Sequence, residues 1–237
     1  MKTNEMLLRN KLKWVSLCAV LWLPLAGCMD DEGEMVEPVA QAYVSIYNAS
    51  PNAPQLDVSV DNRQIFNQPL NYTDYTRYLN FYTGDRALKI SSFNANSVLV
   101  DTTVNFQADK AYSMFIADDV ADLSAVVVED NAETPAPGKA LVRLVHLSPD
   151  AQAVDVTEEN GTTLFTNQLF KQASAFKEVD ADTYNLMLNT AGDTGEGLSV
   201  PDATFRSQGI YTLIVRGFAT PPAGNTNTLS VQIVSNN

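Results

Sequence analysis

The sequence has little cysteine, little histidine and little positive charge. Its 237 residues include two cysteines, one histidine and 15 Lys or Arg against 28 Asp or Glu, for a formal net charge of −13. Cys18 lies in an N-terminal apolar stretch that we expect to be removed, which leaves Cys28 alone. An internal disulfide and a cysteine metal site are then excluded, and with His146 as the one histidine we expect no metal and no cofactor. So much negative charge repels nucleic acid, so we expect no nucleic-acid partner.

Residues 1–27 have the pattern of a bacterial export signal. Four basic residues precede an apolar run from Trp14 to Ala26 that is too short to span a bilayer as a mature helix. The run ends in Leu25-Ala26-Gly27-Cys28, which resembles the lipobox of bacterial lipoproteins, where the peptide is cut before the cysteine and the cysteine is lipidated. The resemblance implies lipidation of Cys28 and a membrane partner through that lipid anchor. A plain secretory signal with an incidental cysteine is the alternative.

An acidic segment over residues 28–40 follows the lipobox. Five acidic residues stand in positions 30–37, so the segment should stay solvated and act as a tether. It also resembles the surface-export signal of lipoproteins in some Gram-negative bacteria, with an ordinary spacer as the alternative. Loss of residues 1–27 removes four basic residues and one acidic residue, so the formal net charge falls from −13 to −16. We therefore expect an outer-membrane lipoprotein of the cell envelope, with periplasmic and surface-exposed placement both open.

The rest of the chain is an internal repeat with an offset near 98 residues. The segment VSIYNASPNAPQLDV at 44–58 aligns with VRLVHLSPDAQAVDV at 142–156, and later apolar and aromatic positions keep nearly the same offset. The copies span residues 41–131 and 139–237. Residues 132–138, AETPAPG, form a short Pro-rich linker between them. The repeat predicts two tandem domains of the same fold.

Each copy has the pattern of short β-strands separated by turns. Alternating apolar positions mark strands, as from Val98 to Phe106, and dipeptides such as Asp61-Asn62 and Asn160-Gly161 mark turns. About seven short strands in each copy predict an all-β fold of two tandem immunoglobulin-like β-sandwiches. The Ser-Pro-Asp/Asn-Ala turn before a Leu/Val-Asp-Val strand, found twice in register behind a lipobox, resembles the bacterial domain of unknown function 4397 (DUF4397). That resemblance covers nearly all of residues 41–237 and implies an extracytoplasmic module with no established catalytic residue.

The second copy contains the residue types of a hydrolase triad, His146, Ser148 and Asp155. The matching residues of the first copy are Asn48, Ser50 and Asp57. Asparagine cannot act as the base that takes the serine proton, and the sequence has no Gly-x-Ser-x-Gly elbow to expose the serine. The six residues are therefore predicted to form a structural motif, in which Ser-Pro fixes a turn and the aspartate accepts hydrogen bonds from it. A hydrolase built on the second set is the alternative.

The tyrosines of the first copy fall into two groups. Tyr72 and Tyr78 have aromatic counterparts in the second copy, which predicts that they are core residues. Tyr75 and Tyr82 have none and could be exposed. Exposed tyrosines stack on sugars or on a partner protein at little entropic cost, so these two are candidate ligand or partner contacts.

Two further segments have possible binding roles. Acidic side chains could supply oxygen ligands to calcium, namely Asp118, Asp119 and Asp122 in the first copy and Asp180 and Asp182 in the second. Neither group has the spacing of an EF-hand loop, so solvated acidic loops without metal are favoured. The long connection at 218–225 has no counterpart in the first copy, and loops of this kind often carry recognition.

The sequence as a whole predicts a lipid-anchored, non-enzymatic binding or structural module of two DUF4397-like domains at the cell envelope. The expected partners are a glycan or another envelope protein, besides the membrane. The alternative is an extracytoplasmic hydrolase that uses His146, Ser148 and Asp155.

Overall fold

Strands make up nearly all of the regular structure. The computed structural model describes residues 39–95, 97–193, 195 and 197–236, and in this part of the chain the one helical element is a 3₁₀ turn, Val120–Asp122. The prediction of an all-β fold is confirmed. Within the same residues, no helix has the length and apolar character needed to cross a bilayer.

The first eight strands form two four-stranded sheets. Their bounds are β1 Gln41–Asn48, β2 Leu56–Val60, β3 Arg63–Gln64, β4 Leu79–Tyr82, β5 Gly84–Ser92, β6 Val98–Phe106, β7 Ala111–Ala117 and β8 Ser124–Glu129. One sheet has the strand order β4-β1-β7-β8 and the other β3-β2-β5-β6. β1 is parallel to β7, whereas the other pairs are antiparallel. These two sheets are the first sandwich.

The last eight strands repeat the same topology. Their bounds are β9 Lys139–His146, β10 Val154–Glu158, β11 Thr163–Gln168, β12 Lys177–Asp180, β13 Thr183–Thr190, β14 Leu198–Thr204, β15 Ile210–Arg216 and β16 Ser230–Ser235. The strand orders are β12-β9-β15-β16 and β11-β10-β13-β14, and β9 is parallel to β15 as β1 is to β7. These sheets are the second sandwich, so the predicted pair of immunoglobulin-like sandwiches is confirmed.

Each sandwich encloses its own apolar core. Side chains alternate between the two faces of a strand, so Leu56 and Val58 of β2 point inward and Asp57 points outward. The core of the first sandwich includes Val44, Ile46, Leu56, Leu88, Ile90, Phe106, Met114 and Ile116. The core of the second includes Val142, Leu144, Val154, Leu186, Leu188, Phe205, Leu213 and Val215. The burial of these apolar residues stabilises each sandwich, since the described part of the chain contains no cysteine for a disulfide.

The predicted turns differ in geometry. Asp61 and Asn62 have φ angles of 49° and 61°, which is the type I′ pattern that matches the twist of a tight hairpin between β2 and β3. At Asn160-Gly161 only Gly161 has a positive φ, 91°. The β10–β11 connection is therefore a longer loop in which glycine takes the one left-handed position.

A third apolar cluster lies between the two sandwiches. It joins sheet β4-β1-β7-β8 to sheet β12-β9-β15-β16, which we call the central sheets. Its buried members are Tyr47, Ala49, Phe115 and Ala117 from the first sandwich and Val145, Leu147, Ile214 and Val234 from the second. The central strands are thus covered on both faces, which explains their nearly continuous apolar runs. The two repeats are joined by residues 132–138, and they also pack directly on each other through this cluster.

Candidate functional site

Asn48 ends β1 and is completely buried. Its side-chain Oδ1 accepts a hydrogen bond from the Ser50 backbone N–H at 3.1 Å. Its Nδ2 donates to the Leu70 carbonyl oxygen at 3.2 Å. The amide therefore pairs with one main-chain group of the Ser-Pro turn and with one of a neighbouring segment. An unpaired polar group would be costly at this buried position.

His146 occupies the same place at the end of β9 and is also completely buried. Its Nδ1 accepts from the Ser148 backbone N–H at 3.3 Å, and its Nε2 lies 3.0 Å from the Gln152 carbonyl oxygen, to which it donates. Burial lowers the pKa of the imidazole below its usual 6.5, against an opposing effect of the carbonyl contact. The ring is thus neutral, with both nitrogens engaged by the main chain. Like the Asn48 amide it accepts from the backbone N–H of the turn serine, but it donates to Gln152, whereas Asn48 donates to Leu70.

The hydroxyl groups of Ser50 and Ser148 have different partners. The Ser50 Oγ donates to the Asp118 carbonyl oxygen at 2.7 Å, whereas the Ser148 Oγ lies 3.5 Å from Asp150 Oδ1. The Asp150 carboxylate also accepts from two backbone N–H groups of the 218–225 connection, at 2.7 and 2.8 Å. Ser50 thus ties its turn to the Asp118 backbone directly, whereas in the second repeat Asp150 makes the link to the 218–225 connection.

Asp57 and Asp155 accept their hydrogen bonds from outside the Ser-Pro turn, contrary to expectation. The donors to Asp57 are Gln64 Nε2 at 2.8 Å and Asn94 N at 3.3 Å, and those to Asp155 are Asn167 N at 2.6 Å and Gly192 N at 3.0 Å. The physical reason is strand alternation, which turns both carboxylates to the outer face of their sheet, toward adjacent strands and turns. Asp155 therefore accepts hydrogen bonds from two backbone N–H groups on the outer face of its sheet. His146, in contrast, is buried and bonds main-chain groups.

Tyr75 and Tyr82 are both exposed, by 50% and 56%, and lie apart. Tyr75 forms an isolated bridge with Tyr47, and Tyr82 pairs with Gln41 at the other end of β1. Their partners Tyr47 and Gln41 are six positions apart along β1, so the two tyrosines are about 20 Å apart. The Tyr75 ring stacks on the buried Tyr47 ring with centroids 6.3 Å apart. Tyr75 thus has an exposed ring that packs against a buried one.

A buried polar ring joins the two sandwiches, and we call it the inter-repeat ring. Its members are Tyr78, Ser113 and Asp130 from the first repeat and Arg143, Thr212 and Asn236 from the second. Arg143 Nη2 lies 2.6 Å from Asp130 Oδ1 and donates to Ser113 Oγ at 2.8 Å. Arg143 Nε donates to Thr212 Oγ1 at 2.9 Å. The guanidinium also lies over the Phe176 ring, 4.6 Å from its centroid.

Tyr78 and Asn236 close the ring on the other side. The Tyr78 hydroxyl donates to Asp130 Oδ2 at 2.6 Å and accepts from Asn236 Nδ2 at 3.3 Å. Thr212 Oγ1 donates to Asn236 Oδ1 at 2.7 Å. Burial and then the Asp130 charge raise the pKa of Tyr78 to about 12. Tyr78 thus belongs to the interface rather than to a sandwich core, and Tyr72 does too, since its hydroxyl accepts from Arg216 Nη1 at 3.1 Å.

A cavity, the inter-repeat cavity, lies between the central sheets beside this ring. It holds about 480 Å³ of atom-free space, part of it open to solvent. Its wall includes Ser45, Tyr47, Tyr75, Phe115, Ile214 and Asn236. Sequence reasoning missed this site because it treated the repeats as separate domains. One available signal was Arg143, a charged residue inside an apolar strand at the position where the first repeat has Ser45.

A second set of polar contacts joins the repeats at the Ser-Pro turn. Asn225 Nδ2 and Asn227 Nδ2 both donate to the Pro51 carbonyl oxygen, at 3.0 and 2.6 Å. Lys171 Nζ pairs with Asp118 Oδ2 at 2.6 Å. The long connection that the sequence suggested for recognition therefore contacts the first repeat of the same chain.

The acidic side chains considered for calcium have other contacts. Asp119 accepts from Asn52 Nδ2 at 2.8 Å and caps the 3₁₀ turn, and Asp180 pairs with Lys139 at 2.8 Å. Among the described residues, no group of three or more His, Cys, Asp or Glu is placed to hold a metal ion. Cys28, the predicted lipidation site, lies outside the described residues.

Comparison with solved structures gives ten matching chains, and two of them, both of low score, are as follows. The CBMbc module of family CBM26 from Eubacterium rectale Amy13K, solved with maltoheptaose, is 11% identical, with 80% of this chain and 96% of that chain covered and a TM-score of 0.27. A putative cell adhesion protein from Parabacteroides distasonis is 9% identical, with 83% and 98% covered and a TM-score of 0.23. At these scores neither likeness informs function.

Comparison with family models gives one match, and comparison with curated proteins gives none. The matching model is the domain of unknown function DUF4397, at residues 42–157. The match covers the first sandwich and extends through β9 into β10. It confirms the resemblance for this part of the chain, and a tandem pair of such domains stays a prediction. Residues 42–157 of this chain therefore match the DUF4397 family model.

Proposed function

We propose that this protein is a non-enzymatic binding module of the cell envelope, anchored by lipid at Cys28. The observation that carries the proposal is Tyr75, whose exposed ring stacks on the buried Tyr47 at the mouth of the inter-repeat cavity. A ring held in this way can stack on a sugar or on a partner side chain without a further loss of conformational entropy. The two fused sandwiches supply a rigid frame for it.

The contacts of His146 support a non-enzymatic role. A triad base needs one ring nitrogen within reach of the serine hydroxyl and the other on a carboxylate. Here Nδ1 accepts from the Ser148 backbone and Nε2 donates to the Gln152 carbonyl, while the Asp155 carboxylate binds the backbones of Asn167 and Gly192. These contacts suit a structural motif common to both repeats.

A glycan array tests the binding role with the wild-type protein and two variants. We expect the wild type to bind a limited set of glycans, and Tyr75→Ala to weaken binding at least tenfold because the stacking surface is lost. Tyr82→Ala is the matched variant about 20 Å away, and it reports whether a longer ligand extends along β4. A flat array for the folded wild type would contradict glycan binding.

An ester-substrate panel tests the absence of catalysis. We expect no turnover by the wild type and none by His146→Asn. This substitution gives the second repeat the residue type that the first repeat has at Asn48. Hydrolysis by the wild type that disappears in His146→Asn would contradict the non-enzymatic proposal.

Cell fractionation tests the anchor. We expect the wild type to sediment with membranes and Cys28→Ala to be released into the soluble fraction, since lipid chains bind membranes through buried methylene groups. Cys18→Ala is the matched control, because Cys18 would leave with the signal. Sedimentation of Cys28→Ala with membranes would contradict the proposed anchor. Protease treatment of intact cells then distinguishes surface from periplasmic placement.

A further inference from the structure

The two repeats place equivalent residues around the interface between the central sheets. The Ile46 backbone N–H donates to Thr76 Oγ1 at 3.0 Å, and 98 residues later the Leu144 backbone N–H donates to Ser174 Oγ at 2.9 Å. Ser45 in β1 is therefore the structural counterpart of Arg143 in β9.

The same equivalence relates Asp130 to Asn236. The Asp130 backbone N–H donates to the Ala111 carbonyl oxygen at 2.8 Å, and the Asn236 backbone N–H donates to the Ile210 carbonyl oxygen at the same distance. The interface thus has two similar halves. One half contains the ion pair of Arg143 and Asp130, and the other has neutral serine and asparagine in the same two places.

The inter-repeat cavity lies in the neutral half. On the Arg143 side, the guanidinium and its three-carbon stem fill the space over the Phe176 ring. On the Ser45 side, the side chain ends at a hydroxyl that lies 3.3 Å from Ser113 Oγ. Because no long side chain extends from Ser45, the space that an arginine would fill is left open toward Tyr75.

Charged groups of both signs lie around the cavity, with Arg77 in its exposed wall and the buried pair of Arg143 and Asp130 at its inner end. At the inner end they disfavour a charged occupant of either sign. Ser113 and Thr212 line the cavity and also bind the Arg143 guanidinium, so a cation there would lie close to a like charge. An anion would lie near the buried Asp130 carboxylate, which also binds Ser113. A neutral group is therefore favoured.

The wall of the cavity has a polar side and an apolar side. Ser45, Thr212 and Asn236 supply hydroxyl and amide groups, and Tyr47, Phe115 and Ile214 supply apolar surface. A small neutral group with a hydrogen-bonding part and a methyl end matches both sides. The exposed Tyr75 ring at the mouth offers a stacking surface for a larger body outside.

We propose that the inter-repeat cavity binds the acetamido group of an N-acetylated sugar, with the sugar ring against Tyr75. The amide of the ligand contacts the hydroxyl and amide wall, and its methyl group contacts the apolar wall. This inference rests on the proposed binding function and names the ligand class and subsite. The cavity selects neutral N-acetylhexosamine over the cationic free amine.

Ligand-observed NMR on the protein of residues 28–237 tests the proposal with N-acetylglucosamine, glucosamine and glucose. We expect saturation transfer to N-acetylglucosamine, strongest at its methyl protons, and at least tenfold weaker binding of the other two sugars. Ser45→Arg, which copies the second repeat, and Ser45→Leu, which fills the cavity without a charge, should each abolish the methyl signal. Ser59→Leu on the outer face of β2 is the matched control and should bind as the wild type does.

The outcomes separate this inference from the broader function. Equal binding of the three sugars, or binding unchanged in folded Ser45→Leu, would overturn the acetamido subsite even if an array shows other glycans bound. Absence of N-acetylglucosamine binding also overturns it, whatever the array shows. Acetamido binding that is lost in Ser45→Leu would support the subsite, and a flat array beside it would contradict only binding of the larger glycans on the array.

Discussion

Arg143 and Asp130 lie in different repeats, yet their side chains form a buried ion pair, with Nη2 and Oδ1 2.6 Å apart and exposed fractions of 1% and 4%. Such a pair does not by itself make a large net contribution to stability, because both ions lose their hydration. Its consequence is that the sandwiches must pack in the one arrangement that pairs both ions, because another packed arrangement would bury a charge without its partner. The pair therefore makes the relation between the sandwiches specific.

Loss of one partner of this pair should be costly. We expect Asp130→Asn to lower the free energy of unfolding by about 3–5 kcal/mol, because the Arg143 guanidinium stays buried without its carboxylate. The double variant Arg143→Ser/Asp130→Asn copies the Ser45 and Asn236 pair. Urea denaturation should show that its loss is smaller than the sum of the single losses by about 1–3 kcal/mol. Strict additivity would mean that the two side chains are not coupled.

The stability of the second repeat should depend on pH through His146. Burial holds its folded-state pKa below the 6.5 of the unfolded chain, so the unfolded chain takes up the proton first as the pH falls. The free energy of unfolding should therefore decrease from pH 6.5 downward until the folded-state pKa is reached. His146→Asn keeps a donor and an acceptor and should lie within about 1 kcal/mol of the wild type at pH 7.5. The wild type should lose stability relative to this variant on acidification, measured by denaturation at several pH values.

Alkaline pH should act through Tyr78. Its folded-state pKa is raised to about 12 from 10.0, so the unfolded chain releases the phenol proton first. The free energy of unfolding should fall as the pH rises from 10 toward 12, and it should fall less in Tyr78→Phe. Tyr82→Phe, which removes an exposed hydroxyl, is the control. An equal alkaline loss in wild type and Tyr78→Phe would contradict the role of the inter-repeat ring.

The two donors on the Pro51 carbonyl should be partly redundant. Asn227→Ala removes one hydrogen bond and should cost about 1 kcal/mol, whereas Asn225→Ala also removes the bond from the Asn227 backbone N–H and should cost about 2 kcal/mol. The double variant leaves the carbonyl without either donor and should cost more than the sum. Asn160→Ala is the control, since Asn160 makes a similar local turn contact with the Thr162 backbone and none to the first repeat. Hydrogen exchange of the Ser-Pro turn amides should rise in the double variant alone.

The strand pattern and the repeat could be predicted from sequence because both depend on local order along the chain. Alternation marked the strand from Val98 to Phe106, which is β6, and the copies aligned in register. The equivalence of Asn48 and His146 also followed from that alignment, and so does the hydrogen bond that each accepts from the turn serine. In each case the deciding interactions lie within one repeat.

The interface between repeats could not be derived in the same way. Tyr78 and Phe176 align as aromatic residues, but only the packing of two central sheets shows that one belongs to a polar ring and the other lies under a guanidinium. The run at 114–117 is apolar at every position, which is typical of a strand buried on both faces. That run was the available signal that β7 has a neighbour on each side.

The position of β1 has a mechanical consequence. The strand begins at Gln41, directly after the proposed tether, and lies between β4 and the parallel strand β7. Tension on the tether would run along β1, while its hydrogen bonds to both neighbours lie across that direction. Those bonds would share the load and break together rather than one after another. A protein that holds a ligand away from a membrane gains from this, because the strand nearest the anchor resists being peeled out when the ligand is pulled.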